Sequence, residues 1–470
     1  MHEAVDSGTA PDPAPNRPGT PGGSAPESGS RSGSPAPGTG DAPAPCAGTP
    51  LGPSRRGLLG LIGAGAVGLA GGAAAGGAIV SAAVGRGAGG GVGSAVPFYG
   101  EHQAGITTPA QDRLHFASFR MVSGTAREDL VTLLSDWTGA AAALTRGRAL
   151  GTGVEPGNAL LPPDDTGEAE GLGAARLTLT FGLGRSLFEA RDGDPDPFGI
   201  ADRLPAAFAP LPSFAFDLLE DAQSGGDLCV QACADDPQVA VHAIRNLARI
   251  ATGRAHLAWS QLGFGRTAST SRAQETPRNL FGFKDGTANV MAEDAAALDA
   301  HVWVGDEGEA WMRGGSYLVA RKIQMTIETW DRASLGEQQR VLGRTKAEGA
   351  PLSGGAEFDE PDFTAPDPAD TSLPAIDAAA HVRLAHPTSN GGVRLLRRGY
   401  NYVDGSNGLG QLGAGLFFIS FQNDPAAFVR VQRSLQPDLL NEYIRHIGSG
   451  LWAVPGGVRE GEHLAQALFA

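Results

Sequence analysis

An apolar run over residues 227–234 halts at Asp236-Pro237. A second over residues 415–422 halts at Asp424-Pro425, at the same spacing. Each halt reads as a helix start. Aspartate caps the first turn with its carboxylate, and proline at the first helical position gives up an N–H that would have no partner. A helical stripe follows each one. Val241, Ile244, Leu247 and Ala251 form the first, closed by Gly253; Phe428, Val431, Leu435, Leu439 and Tyr443 form the second. Another strand then begins in each place, at His256-Leu257-Ala258-Trp259 and at residues 450–454.

The residues upstream of each run also correspond. A strand over 115–121 leads to a helix capped by Thr125. Glu128 and Asp129 lie in its first turn, and Leu130, Leu133, Leu134 and Trp137 form its apolar face. A strand over 316–323 leads to a helix around 330–343, and residues 175–184 add a strand ending in a glycine turn. Each half therefore reads strand, helix, strand or hairpin, strand, helix, strand. That order predicts an α+β fold of two ferredoxin-like domains, each an antiparallel sheet with helices on one face. The boundaries fall at 96–290 and 291–470. Residues 151–171 and 348–379 are long and polar and read as surface insertions.

Ahead of these domains, residues 1–53 are rich in Pro, Gly, Ser and Ala without apolar periodicity, a composition too polar to bury a core. Residues 54–95 open with Ser54-Arg55-Arg56, and no charge follows from Gly57 to Gly85. Such a run is long enough to span a bilayer. The arginine pair and the glycine content favour a twin-arginine (Tat) export signal instead, cut after Ala83 or Ala95, leaving no stable membrane span. The first 95 residues carry five acidic and five basic groups, so the formal charge of −15 belongs to the rest. An acidic body argues against nucleic acid as a partner. Three cysteines cannot build a disulfide framework. Cys229 and Cys233 share a strand, about 13 Å apart, and read as core residues.

Between the halves lies Gly282-Phe283-Lys284-Asp285-Gly286, running on to Thr287-Ala288-Asn289. An Asp-Gly pair alone usually marks a turn. It gains meaning beside His381 in Ala380-His381-Val382-Arg383-Leu384-Ala385, followed by His386-Pro387, and beside Leu396-Arg397-Arg398-Gly399-Tyr400. Together with the leader, these motifs resemble those of the dye-decolourising (DyP-type) haem peroxidases, over nearly all of 96–470. The resemblance implies haem b, with His381 as axial ligand to the iron. It also implies haem contacts from Arg383, Gly282, Gly286 and Thr287. A proximal histidine needs an acceptor for its other ring nitrogen, and Asp438 and Glu442 are the candidates. Asp285 takes the place of the family's acid–base aspartate, and Arg397 that of its distal arginine, a fixed cation with several donors. His386 stands where the family usually has Asn. Gly399 stands where some relatives carry a distal Asn.

Free aspartate titrates near about 3.9, so a carboxylate base still works where histidine is protonated. An acid-side activity optimum is therefore expected. The implied partners are hydrogen peroxide and an organic reductant, dye-like or phenolic, with a homo-oligomer left open. Two other readings stand beside this one. The first is a haem-binding protein of iron uptake, resembling deferrochelatases; the second is a haem-free ferredoxin-like interaction protein.

Overall fold

The computed structural model describes residues 94–470. The leader and Cys46 lie outside them. Among the described residues, no helix is long and apolar enough to cross a membrane.

The N-terminal half contributes strands β1 (Arg113–Met121), β2 (Thr178–Gly184), β3 (Leu228–Ala234) and β4 (Ala255–Arg266), with helices α1 (Arg127–Leu144) and α2 (Pro237–Ala251). After a short helix α3 (Ala295–His301) comes the C-terminal half. It has β5 (Ser316–Met325), α4 (Ile327–Trp330), α5 (Leu335–Leu342), α6 (His381–Ala385), β6 (Leu396–Arg397), β7 (Tyr400–Ser406), β8 (Leu412–Gln422), α7 (Pro425–Ser434) and β9 (Ile444–Val454).

Strand order shows the duplication. The first half runs β2-β3-β1-β4 and the second β7-β8-β5-β9, so both have the ferredoxin-like order. The halves do not stay separate sheets. Edge strand β4 pairs with β7, and β2 pairs with β9, all antiparallel. Eight strands thus close into a ring, with β6 hydrogen-bonded to the end of β8. Closure removes the exposed edges that each half would otherwise present.

Alternation along the strands sorts side chains to two sides of this ring. Leu114, Phe116, Cys229, Cys233, Leu318, Phe417, Phe421 and Trp452 meet in one buried cluster fed by both halves. Cys229 and Cys233 are buried free thiols, as their strand position implied. The alternate residues face the helices. Over the first half, α1 and α2 cover this face with a continuous apolar core, in which the buried Trp137 donates its indole N–H to Leu247 O at 2.9 Å.

Both Asp-Pro starts form as expected. Asp236 accepts from Gln238 N and Asp424 from Ala426 N. Three local expectations are corrected. Thr125 does not cap α1; its hydroxyl donates to Val122 O, and Ala126 holds the cap position with its N–H on the Asp129 carboxylate. The helix expected around 330–343 is two short ones, α4 and α5. The stripe from Phe428 to Tyr443 is helical only to Ser434, and a separate single turn covers Leu439–Glu442. Of its apolar residues, Phe428 and Val431 on α7 and Leu435 just past its end line a cavity.

Candidate active site

Where α1 and α2 fill the first half, the second half holds a cavity of about 430 Å³. Its floor is the sheet face carrying Arg321, Ile323 and Met325 of β5 with Leu416 and Phe418 of β8. Its walls are α6, α7, the 279–288 loop and part of the 348–379 segment. That segment lies mostly at the surface, as expected of an insertion, and its Phe358, Asp359, Glu360 and Pro361 also border the cavity. Glu357 anchors the segment by an ion pair to Lys284, and Glu360 meets His386 at 2.9 Å.

The Asp285 loop is shaped from below. Phe281 stacks on Trp330 at 4.3 Å, and the Trp330 indole donates to Phe281 O. Gly282 turns the chain at φ +80°. Asp285 N then donates to Pro277 O at 2.9 Å, which leaves the carboxylate on the cavity wall. Gly286 follows at φ +86°, pressed so close to Ala268 that a Cβ would come within 2.8 Å of its Cα. No other residue fits there without strain.

Arg397 reaches the same carboxylate from β6, with Nη1 donating to Asp285 Oδ1 at 3.0 Å. Asn279 Nδ2 approaches the other oxygen at 3.3 Å. Residue alternation sends Arg398 the opposite way, to Thr108 O and Gln111, fully buried. The backbone of Arg397 is pinned by a residue that the sequence reading passed over. Buried Asn289 accepts from Arg397 N at 2.7 Å and donates to Arg397 O at 2.9 Å. An amide is the one side-chain group that offers acceptor and donor side by side to the same residue. Its place four residues after Asp285 was the available signal.

His381 opens α6, and its Nδ1 meets Asp438 Oδ2 at 2.6 Å. Of the two acidic candidates, Asp438 is the partner. An ionised carboxylate only accepts, so Nδ1 carries the proton and the Nε2 lone pair is left for the cavity that the ring lines. Burial works against a charged ring here, but the Asp438 carboxylate outweighs it, with Asp285 adding to its effect. The His381 pKa is raised, although Arg397 opposes this. Asp438 is itself fixed, since its other oxygen accepts from Leu440 N at 2.9 Å.

The structure thus brings Asp285, Arg397, His381, Gly286 and Thr287 to one cavity. Thr287 spends its hydroxyl on Glu357 at 3.3 Å. Gly282 shapes the loop without lining the cavity, and Arg383 is not brought there either. The Arg383 guanidinium donates to Phe363 O and Ile376 O and lies over the Phe363 ring at 5.5 Å, tying down the 348–379 segment. Deeper in, Arg321 is buried on Asp217 and Ser449, beside a buried His446.

Residues 103–265 match the family described as Dyp-type peroxidase, N-terminal. Residues 276–459 match its counterpart, Dyp-type peroxidase, C-terminal. The chain belongs to the DyP-type peroxidase family. A protein named Deferrochelatase from Escherichia coli O157:H7 is 39% identical over 381 residues, 79% of this chain and 87% of that one. Ferric DtpA from Streptomyces lividans is 39% identical and superposes with a TM-score of 0.72, covering 81% of this chain and 98% of that chain. A DyP-type peroxidase from Cellulomonas bogoriensis is 37% identical, with a TM-score of 0.71 over 81% and 99% of the two chains. Membership makes this DyP-type protein a haem-dependent enzyme using a peroxide and a reductant, and sets aside the haem-free reading.

The residues present fit that cofactor. An axial imidazole needs one unshared ring nitrogen, held in one tautomer, and His381 on Asp438 supplies it. A flat macrocycle needs apolar walls, here Ile323, Met325, Phe418, Phe428 and Ile444.

Proposed function

We propose that this DyP-type protein is an exported peroxidase that reduces hydrogen peroxide at the expense of a dye-like or phenolic donor, with Asp285 and Arg397 performing the proton and charge work. The observation that carries the reading is a pair of contacts in one apolar cavity. Asp285 lies on Arg397 at 3.0 Å, and His381 lies on Asp438 at 2.6 Å.

When bound, haem supplies the iron and the electrons for breaking the O–O bond. His381 would hold it through Nε2. The Asp438 carboxylate keeps that nitrogen electron-rich and the ring in one orientation. Asp285 takes a proton from one peroxide oxygen and returns it to the other, which leaves as water. Asn279 and Arg397 hold the two carboxylate oxygens in place. The Arg397 guanidinium also offsets negative charge as the O–O bond breaks, and Asn289 keeps that arginine in register. Two donor molecules each give up one electron to complete the cycle. Export rests on the Ser54-Arg55-Arg56 leader.

The test is steady-state oxidation of an anthraquinone dye with peroxide, using wild type, Asp285→Ala and Arg397→Leu, each with its haem absorbance recorded. Loss of turnover with haem retained supports the roles. Haem-loaded variants that keep the wild-type rate would remove them. The deferrochelatase name carried by relatives at 38–39% identity favours a second reading, release of iron from haem. Metal-free porphyrin fluorescence growing in a peroxide-free incubation would select it.

A further inference from the structure

Behind α7 lies a second hollow, a cleft of about 260 Å³. Ser213 and Phe214 of the first half form one side of it, and Arg433 and Gln436 form the other. Gln432, Leu435 and Asn441 line both this cleft and the larger cavity, so the two spaces are one side chain apart. Phe214 joins them further. Its ring lines the cleft, lies on the Arg321 guanidinium at 5.4 Å and meets the Phe428 ring at 6.0 Å, and both of those partners line the cavity.

The chain is bent to keep Phe214 there. Asp217, itself paired with Arg321, accepts from Phe214 N at 3.3 Å, and Asp217 N donates to Phe214 O at 3.3 Å. Between them Phe216 is held at φ +69°, a conformation that bulky residues avoid, with its ring half exposed. Such strain persists only where neighbouring contacts impose it.

The cleft also has a definite chemical character. Among the described residues, Arg433 is the one charged side chain lining it, and no carboxylate lies within ion-pair distance of that guanidinium. This stands out on a chain of formal charge −15. The Gln432 and Gln436 amides beside it make no side-chain hydrogen bond within the described residues. An aromatic wall, a free cation and unengaged amides suit a ring that bears a negative group. The volume lies just under the usual range of small-molecule pockets, about 300–1,000 Å³, so it fits one ring system and not a whole dye.

We propose that this cleft binds the organic reductant, as a phenol carrying a carboxylate or a sulfonate. This rests on the peroxidase reading and adds where the donor docks and which charge it bears. The donor stays outside the larger cavity and passes its electron across the shared side chains, while its phenolic proton goes to water. Two such phenols give two electrons and two protons, one hydrogen peroxide becomes two waters, and two phenoxyl radicals leave. The Asp285 loop forms a different wall, so donor and peroxide need not compete. Arg433 is a binding residue for the donor and takes no part in breaking the O–O bond.

The experiment compares syringate, an anionic phenol, with its methyl ester, which has the same ring and hydroxyl without the charge. The full-length holoenzyme is used as wild type, Arg433→Glu, Arg433→Lys and Ser213→Trp, the last to fill the cleft. Each is read twice: as KM and kcat with peroxide and, without peroxide, as broadening of the donor's ring-proton NMR signals by the ferric iron. An exposed ion pair is worth about 2- to 5-fold in affinity. Arg433→Glu replaces that attraction with repulsion, so it should raise the KM for syringate about 4- to 25-fold and weaken the broadening in step. The KM values for the ester and for peroxide should stay at wild type, and Arg433→Lys should keep most of the syringate affinity. Ser213→Trp should weaken both phenols alike. Syringate constants that are unchanged in Arg433→Glu and Ser213→Trp overturn the proposal. So does an equal loss for syringate, ester and peroxide in Arg433→Glu, since that marks general damage to α7. If the wild type broadens syringate but oxidises neither phenol, the cleft stands and the peroxidase reading falls.

Discussion

Over the first half of the ring, α1 and α2 run for 18 and 15 residues and press an unbroken apolar surface onto the sheet. Over the second half, α5 and α7 run for only 8 and 10, and a cavity of about 430 Å³ lies beneath them. The strand pairings of the two halves correspond. Ala117 of β1 lies opposite Val230 of β3, and Arg321 of β5 lies opposite Phe418 of β8, at the same place in the repeat. A small buried residue in one half is answered by a buried arginine and a large ring in the other. One plan therefore serves two ends. The first half spends its apolar face on stability, and the second shortens its helices and keeps that face for a ligand. The buried charge of Arg321 is compensated there by Asp217, with Ser449 accepting a second hydrogen bond.

The comparison breaks most sharply at the chemistry. Removing an acid–base group typically costs about 10²- to 10⁴-fold. Asp285→Ala should lose turnover on that scale while binding haem and melting much as wild type does. His381→Ala should lose the wild-type haem spectrum as well, read as the Soret band after reconstitution. No substitution in the α1–α2 core should act on turnover at matched folded fraction. If one does, the halves are coupled and the division of labour is wrong.

Packing is the next test. Trp137→Ala removes a fully buried ring from the filled half and should cost about 3–5 kcal/mol in urea unfolding, with or without haem. Phe418→Ala removes a ring that borders the cavity. Its cost should be smaller in haem-free protein and should grow when haem is bound, because only then does the ring have neighbours on both sides. Equal costs in both states would show that Phe418 packs like an ordinary core residue.

The difference between the halves also marks what was legible in the sequence. Asp236-Pro237 and Asp424-Pro425 announced the repeat because caps and prolines act through local chemistry, which needs no distant partner. Short motifs pointed to Asp285, Arg397 and His381, and all three line one cavity. Ring closure was not visible, since the pairing of β4 with β7 and β2 with β9 depends on shape across the whole molecule. The stripe from Phe428 to Tyr443 looked like one helix because Phe428, Val431 and Leu435, which line the cavity, share the spacing of a packed helix face. The 348–379 segment is the polar surface insertion its composition suggests, but composition could not show that Glu357 and Glu360 tie it to Lys284 and His386 at the cavity. Arg383 was placed on the cofactor by motif alone, and nothing local indicated that Phe363 and Ile376 would claim it.

Acid should affect each half through one histidine held neutral by its surroundings, half-buried His115 in the first and buried His446 in the second. The pKa of His115, on β1, is pushed down to about 4 by burial. That of His446, in the cavity, is pushed down to about 3 by burial and then by the charge of Arg321. Unfolded, both titrate near 6.5. Between those limits the unfolded chain binds more protons than the folded one, so stability is full above pH 6.5 and falls as pH drops. Each histidine contributes a slope of at most about 1.4 kcal/mol per pH unit. Urea melts from pH 7 to 4.5 should therefore flatten for His115→Gln and, separately, for His446→Gln. Unaltered slopes in both would refute the neutral-histidine assignment. The same slope limits how far an acid activity optimum is useful to this enzyme.

The smallest test concerns the two matched helix caps. Asp236 and Asp424 make the same contact, and replacing either with Ala should cost about 1 kcal/mol. Their consequences should nevertheless differ. Asp236→Ala loosens a helix held by the filled core, so the loss stays a loss of stability. Asp424→Ala frays the start of α7, whose Phe428, Val431 and Leu435 form one wall of the cavity. That wall has less packing behind it to restore the geometry. Haem should then leave Asp424→Ala a few-fold faster than wild type, while Asp236→Ala keeps the wild-type rate. Equal haem retention in the two variants would mean that α7 is braced by contacts other than its cap. The hollow half would then be stiffer than its short helices suggest.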